Sequence, residues 1–153
     1  MDAIDKKILS IIQINATIPL SELSKKVGLS STPCWNRIKK MEENNTITAK
    51  IAILNKEKIN LPVTVFLSVS VGNHQQEWLL KFKEVVMKYD QITEVYRLAS
   101  STMDYLLKIV APSIESYDKF QQKLINEFEF THMTSNISLK VLKKNNHLPL
   151  DFI

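Results

Sequence analysis

Between Pro19 and Asn45 the apolar residues form two runs of helical spacing with a glycine between them, and few folds accept that arrangement. The first run is Leu20, Leu23 and Val27; the second is Cys34, Ile38 and Met41. Each run lines one side of a helix, because residues three or four apart share a face. Gly28 separates them and can take the positive φ that a sharp turn between helices needs. Pro19, which lacks an amide proton, suits the start of the first of these helices. Ser30 is a good N-cap for the second, and Pro33 is tolerated because it falls in the first turn. Asn44-Asn45 supplies a left-handed stop. Upstream, residues 2–14 read as another helix, capped by Asp2, with Ile4, Ile8, Ile11 and Ile12 on one face. Three short helices with a glycine turn between the second and third make a helix-turn-helix domain.

The charge is distributed in keeping with that domain. Ten Lys/Arg stand against six Asp/Glu through residue 61, and there are ten of each from residue 62 onward, so the whole net charge of +4 lies in the first part of the chain. A surface for phosphates needs such a local excess, since each neutralised phosphate releases condensed counterions. A lysine-rich solvated face has the same composition, and charge alone leaves both readings open. The single cysteine, Cys34, excludes an internal disulfide and any multi-cysteine metal cluster, and on the apolar stripe it reads as a small core residue. His74, His132 and His147 are scattered without ligand spacing and read as surface residues; no metal or cofactor is expected. No stretch approaches the ~20 apolar residues of a membrane helix. Met1-Asp2-Ala3-Ile4-Asp5 carries acids where a signal peptide carries bases, so a cytoplasmic address is expected.

Past Ile47 the pattern changes. Ile51, Ile53 and Ile59, with Lys56-Glu57-Lys58 between, suggest a connecting strand or hinge over 51–61. Residues 62–71 are rich in β-formers and close on Gly72-Asn73. An amphipathic helix follows over 75–89 through Trp78, Leu79, Phe82, Val85, Val86 and Tyr89, then strands at about 92–99 and 104–111. Pro112-Ser113 opens a helix carrying Ile114, Tyr117, Phe120, Leu124 and Phe128, and a last strand is placed at about 134–142. Trp78, Phe82, Phe120 and Phe128 are expected in the core. The fold class is therefore α+β: a winged-helix-like helix-turn-helix domain over 1–50, a hinge over 51–61, and a ferredoxin-like βαββαβ domain over 62–153. Helices on one side leave an apolar sheet face uncovered, and a homodimer formed through it is the economical solution.

These residues resemble the Lrp/AsnC (leucine-responsive, or feast/famine) regulators over essentially the whole length. Asp2, Asp5, Ile8 and Leu9 match the opening Asp-x-x-Asp-x-x-Ile-Leu pattern. Glu22, Leu23, Val27, Gly28, Leu29, Ser30, Thr32, Pro33, Cys34, Arg37 and Ile38 match the helix-turn-helix string. Asp104-Tyr105-Leu106-Leu107 and the late Leu148-Pro149-Leu150 match the second domain. Three family glycines are replaced, by Asn45, Asn60 and Ser101; asparagine tolerates the left-handed region, whereas Ser101 adds a side chain in the loop before Asp104. The resemblance implies a transcription regulator that binds double-stranded DNA, responds to an amino acid or similar metabolite, and assembles dimers into tetramers or octamers.

On the third helix the face opposite Cys34, Ile38 and Met41 holds Thr32, Asn36, Lys39 and Lys40, with Ser31 beside them. Thr32 and Asn36 suit base edges, and Lys39 and Lys40 suit phosphates. Trp35 and Arg37 flank this face and serve either DNA or packing. In the loop 98–104 the resemblance places an effector against Leu98, Ser101, Thr102, Met103 and Asp104, with Thr134 and Asn136 of a neighbouring subunit. Asp104 equally suits the capping of loop amides at a strand start. Two other functions share the plan. One is an architectural DNA-binding protein without an effector. The other is a siroheme-decarboxylase-like enzyme, which carries an Arg-Arg pair after the helix-turn-helix. Here that stretch is Ile47-Thr48-Ala49-Lys50-Ile51, and only Arg37 and Arg97 are arginines, too few for a many-carboxylate tetrapyrrole.

Overall fold

A computed structural model describes residues 1–72, 76–100 and 102–153, which form two compact units. His74 and Ser101 lie outside the described residues.

The first unit holds residues 1–53 and 142–153. Its helices are α1 (Ala3–Ile12), α2 (Leu20–Val27) and α3 (Ser31–Glu43). Asp2 caps α1 by accepting from the Ile4 and Asp5 amides at 2.9 Å each, while Asp5 accepts from the Asp2 amide at 3.1 Å. This reciprocal box satisfies amides that have no partner inside the helix. Gly28 ends α2 at φ 76°, the left-handed conformation expected of it. Asn45 follows α3 at φ 58°, and the Ile47 amide reaches back to the Met41 carbonyl at 2.9 Å, closing the helix end. Ile8, Leu9, Leu23, Val27, Cys34 and Met41 form the core, with Ile4, Ile12, Ile38 and Leu150 packed against it.

Leu150 belongs to the tail: residues 142–153, which the sequence reading joins to the second domain, cluster with the helices of the first unit. The Gln13 side chain holds this tail at two points. Its Nε2 donates to the Leu148 carbonyl at 3.2 Å, and its Oε1 accepts from the Leu148 amide at 3.0 Å.

The second unit, 54–141, contains β1 (Val63–Ser70), α4 (Gln76–Lys88), β2 (Ile92–Arg97), β3 (Tyr105–Ala111), α5 (Ile114–Glu127) and β4 (His132–Ile137). The strands form one antiparallel sheet in the order β2-β3-β1-β4, the split βαβ arrangement read from the sequence. Alternate residues Val65, Leu67, Val69, Tyr105, Leu107, Ile109 and Ala111 are buried against Phe82, Val85, Tyr117, Phe120, Leu124 and Phe128 of the helices and the segment after α5. Trp78 stacks on Phe82 with centroids 4.9 Å apart and is partly buried. The Glu127 carboxylate accepts from Lys88 at 2.9 Å and from the Tyr89 hydroxyl, tying the ends of the two helices together. On the other sheet face Phe66 and Tyr96 are exposed, and Leu106 and Val110 are only half-buried.

Of the strand or hinge expected over 51–61, the single chain shows the irregular form: residues 51–55 carry no regular structure, and 56–60 form a turn. The Leu61 amide reaches the Lys56 carbonyl at 2.7 Å, and Asn60 sits at φ 59°, the left-handed conformation its replacement of a family glycine anticipates. The last strand is also shorter than expected. Ile137 pairs with Val65 and the Ser138 amide reaches Thr64, but β1 begins at Val63, so residues 139–142 lack a ladder partner and Leu139 is 96% exposed.

Candidate nucleic-acid and effector sites

The helix-turn-helix unit presents α3 with its two sides clearly divided. Cys34 and Met41 are buried, whereas Ser31, Thr32, Trp35, Asn36, Lys39 and Lys40 are exposed. Burial pushes the Cys34 thiol above its ordinary pKa, opposed by the Arg37 charge, as suits a core residue and not a reactive thiolate. The Lys39 ammonium lies 5.8 Å from the centre of the Trp35 ring and 3.1 Å from Glu42. Glu42 also pairs with Lys50 at 2.7 Å; these two cations, Lys50 foremost, hold its carboxyl below the usual range. Lys40 and Asn36 share the exposed face one helical turn apart. Arg37 differs from the other candidates. It is half-buried, and its Nη1 lies 2.7 Å from both Asp2 and Asp5 of the α1 cap. The sequence marked Asp2 as a cap and both aspartates as a family pattern, but gave no sign of this pairing across more than thirty residues.

The loop between β2 and β3 is fastened to the end of β1. The Asp104 amide donates to the Val69 carbonyl at 2.9 Å, and its carboxylate accepts from the Val71 amide at 2.8 Å. Asp104 thus continues the β1 ladder past the start of β3, the capping role that the sequence left open beside ligand contact. The Leu98 amide donates to the Asp104 carbonyl at 2.7 Å, closing the loop. Ser70 Oγ donates to the Thr102 carbonyl at 2.5 Å and lies 3.4 Å from the Met103 sulfur. Leu98, Thr102, Met103 and Asp104 are therefore gathered near Ser70 and Val71. Ser70 was not singled out in the sequence, where it read only as a strand residue. Thr134 and Asn136 are exposed further along the sheet, opposite Ser68 and Phe66 on β1.

A three-helix unit with a glycine turn before an exposed polar helix, joined to a split βαβ unit, defines a helix-turn-helix DNA-binding protein with an appended α/β domain. The AsnC-type helix-turn-helix domain matches residues 1–42, and the Lrp/AsnC ligand binding domain matches residues 64–148. The chain belongs to the Lrp/AsnC family of transcription regulators. It is similar to the glutamate uptake regulatory protein of Zymomonas mobilis, 38% identical over 98% of this chain and 91% of that protein. It is also similar to the DNA-binding transcriptional activator DecR of Escherichia coli, 32% identical over 99% of both chains. Among solved structures, an AsnC family transcriptional regulator from Agrobacterium tumefaciens is 42% identical with a TM-score of 0.95, covering 100% of this chain and 99% of that one. A transcriptional regulator from Neisseria meningitidis, solved as an L-Met complex, is 28% identical with a TM-score of 0.93, covering 99% and 98%.

Proposed function

We propose that the chain is a sequence-specific, cytoplasmic DNA-binding regulator whose C-terminal domain takes an amino acid or related metabolite at a subunit interface. The observation that carries the DNA-reading half is the exposed row Thr32, Asn36, Lys39 and Lys40 on α3, directly after the Gly28 turn. In this reading Asn36 contacts base edges and Lys40 a phosphate. Lys40→Ala is expected to weaken binding alike on all sequences and to shallow the log–log salt slope by about one unit. Asn36→Ala is expected instead to erode discrimination between sites. Gel-shift titrations over a range of salt check both; full affinity after removal of Lys39 and Lys40 together would show that α3 is not the reader.

The effector half rests on the ties of Thr102 and Asp104 to the end of β1 and on the Neisseria neighbour, solved as an L-Met complex. The dimer rests on the exposed Phe66 and Tyr96 with the half-buried Leu106 and Val110, an apolar sheet face that a second copy would cover. Titration calorimetry with L-methionine, L-leucine and L-glutamate, on samples whose mass is measured by light scattering, tests both. Binding of one amino acid to a dimer or larger species is the expected result. A monomer, or silence with all three, would count against the effector reading and favour an architectural DNA-binding protein.

A further inference from the structure

Arg37 sits in the middle of α3, between Asn36 and the buried side of the helix, and its Nη1 is bound to the first turn of α1. Its Nη1 donates at 2.7 Å to Oδ2 of Asp2 and at 2.7 Å to Oδ1 of Asp5. Both carboxylates are themselves fixed. Oδ1 of Asp2 accepts from the Ile4 and Asp5 amides, and Oδ2 of Asp5 accepts from the Asp2 amide. Each carboxylate thus uses one oxygen to cap α1 and the other to hold Arg37. The Asp5 amide and then Arg37 hold the Asp2 carboxyl below its usual range, and two aspartates share the one guanidinium.

The consequence is directional. The core contacts of Cys34 and Met41 keep α3 against its neighbours, but apolar packing is non-directional and tolerates small rotations of a helix. Charge-assisted hydrogen bonds have fixed lengths and angles, and these two join α3 to the first turn of α1. Rotation of α3 about its axis decides where Asn36 and Lys40 point. We infer that Arg37 is a positioning residue for DNA recognition: with Asp2 and Asp5 it sets the orientation of α3 and does not itself contact DNA. This rests on the reading of α3 as the DNA-contacting helix.

The triad is part-exposed, with side-chain exposures of 31% for Arg37, 53% for Asp2 and 17% for Asp5, so its effect should be read in binding more than in folding. The test uses the full chain and two probes: a duplex that the wild-type protein selects from a randomised pool, and the unselected pool. Asp2→Asn/Asp5→Asn removes the charges while keeping side-chain oxygens to accept the α1 amides: asparagine is as good an N-cap as aspartate at position 2, and its amide oxygen can still accept from the Asp2 amide at position 5. That variant and Arg37→Ala should each lose about tenfold in affinity for the selected duplex, on the scale of one misread base pair, with the pool affinity and the salt slope unchanged. Combining all three changes should cost no more than either alone, as expected of one coupled unit. Arg37→Lys, which can serve one carboxylate, should recover part of the loss. The inference is overturned if Arg37→Ala weakens both probes alike and shallows the salt slope, while the double asparagine variant binds as tightly as wild type. It is equally overturned by additive losses, by no loss, or by a collapse of the melting temperature in the double asparagine variant. Lys40→Ala, measured alongside, separates the two levels: if it changes neither affinity nor slope, the reading of α3 has failed, whereas an effect of Lys40 with silent Arg37 and Asp variants dismisses the orienting triad alone.

Discussion

Leu107→Ala is expected to destabilise the second unit by about 3 kcal/mol, within the range for a leucine truncated where its surroundings cannot close in. Leu107 is fully buried at the centre of β3, paired with Leu67 on one side and Val95 on the other. Leu67 is also fully buried, so the side chain leaves a void walled by ladders that cannot shift without breaking hydrogen bonds. Its sequence neighbour is the control. Leu106 points to the opposite, half-buried face, and Leu106→Ala should cost about 1 kcal/mol or less in a monomer and more where a second copy covers that face, in proportion to the apolar area removed from water. Urea unfolding followed by tryptophan fluorescence in a Trp35→Phe background reports on this unit, because Trp78 packs on its core. Equal losses from the two substitutions would mean that both sheet faces are buried in solution, which is the behaviour of a tightly associated dimer. A loss below 1 kcal/mol from Leu107 would contradict the packing described.

The helix-turn-helix unit was readable because its determinants are local. Gly28 and Asn45 take the positive φ their positions demand, and Asp2 caps the helix it precedes. Each depends on residues within one turn. Composition likewise marked β1 as a strand, and its buried positions alternate with those of β3 because side chains on successive residues of a strand point to opposite sides. What the sequence misplaced depends on distant partners. The apolar character of residues 139–142 suggests a strand, but β4 stops where β1 supplies no further partner. The isoleucines of 51–59 leave strand and hinge both open, and the chain by itself shows no regular strand there. The candidate sites divide in the same way. Helical period alone exposes Asn36, Lys39 and Lys40, whereas the ties of Arg37 to Asp2 and of Ser70 to Thr102 span 35 and 32 residues and leave no periodic trace.

The tail shows how far such a distant partner can move a boundary, and its removal supplies the second large effect. Deletion of residues 142–153 is expected to destabilise the first unit by about 2 kcal/mol while leaving the sheet untouched, most of the loss coming from one partly buried leucine. Leu150 packs against the core built on Ile8, Leu23 and Cys34, so its loss returns apolar surface of α1 and the segment after α3 to water. The two hydrogen bonds between Gln13 and Leu148 are solvent-exposed, and water replaces them at little net cost. The released tail regains conformational freedom, which offsets part of the packing lost and keeps the total near 2 kcal/mol. Gln13→Ala in the full chain should therefore cost under about 1 kcal/mol, because Leu150 can still dock. Hydrogen exchange resolves the two units separately. After deletion, the amides of Ile8 and Leu9 in α1 should exchange roughly thirtyfold faster if they open with the whole unit, while those of Leu67 and Leu107 keep their protection. Unchanged protection in α1 would mean the tail is only resting on the helices. Lost protection in β1 and β3 would return residues 142–153 to the sheet domain, where the sequence had placed them.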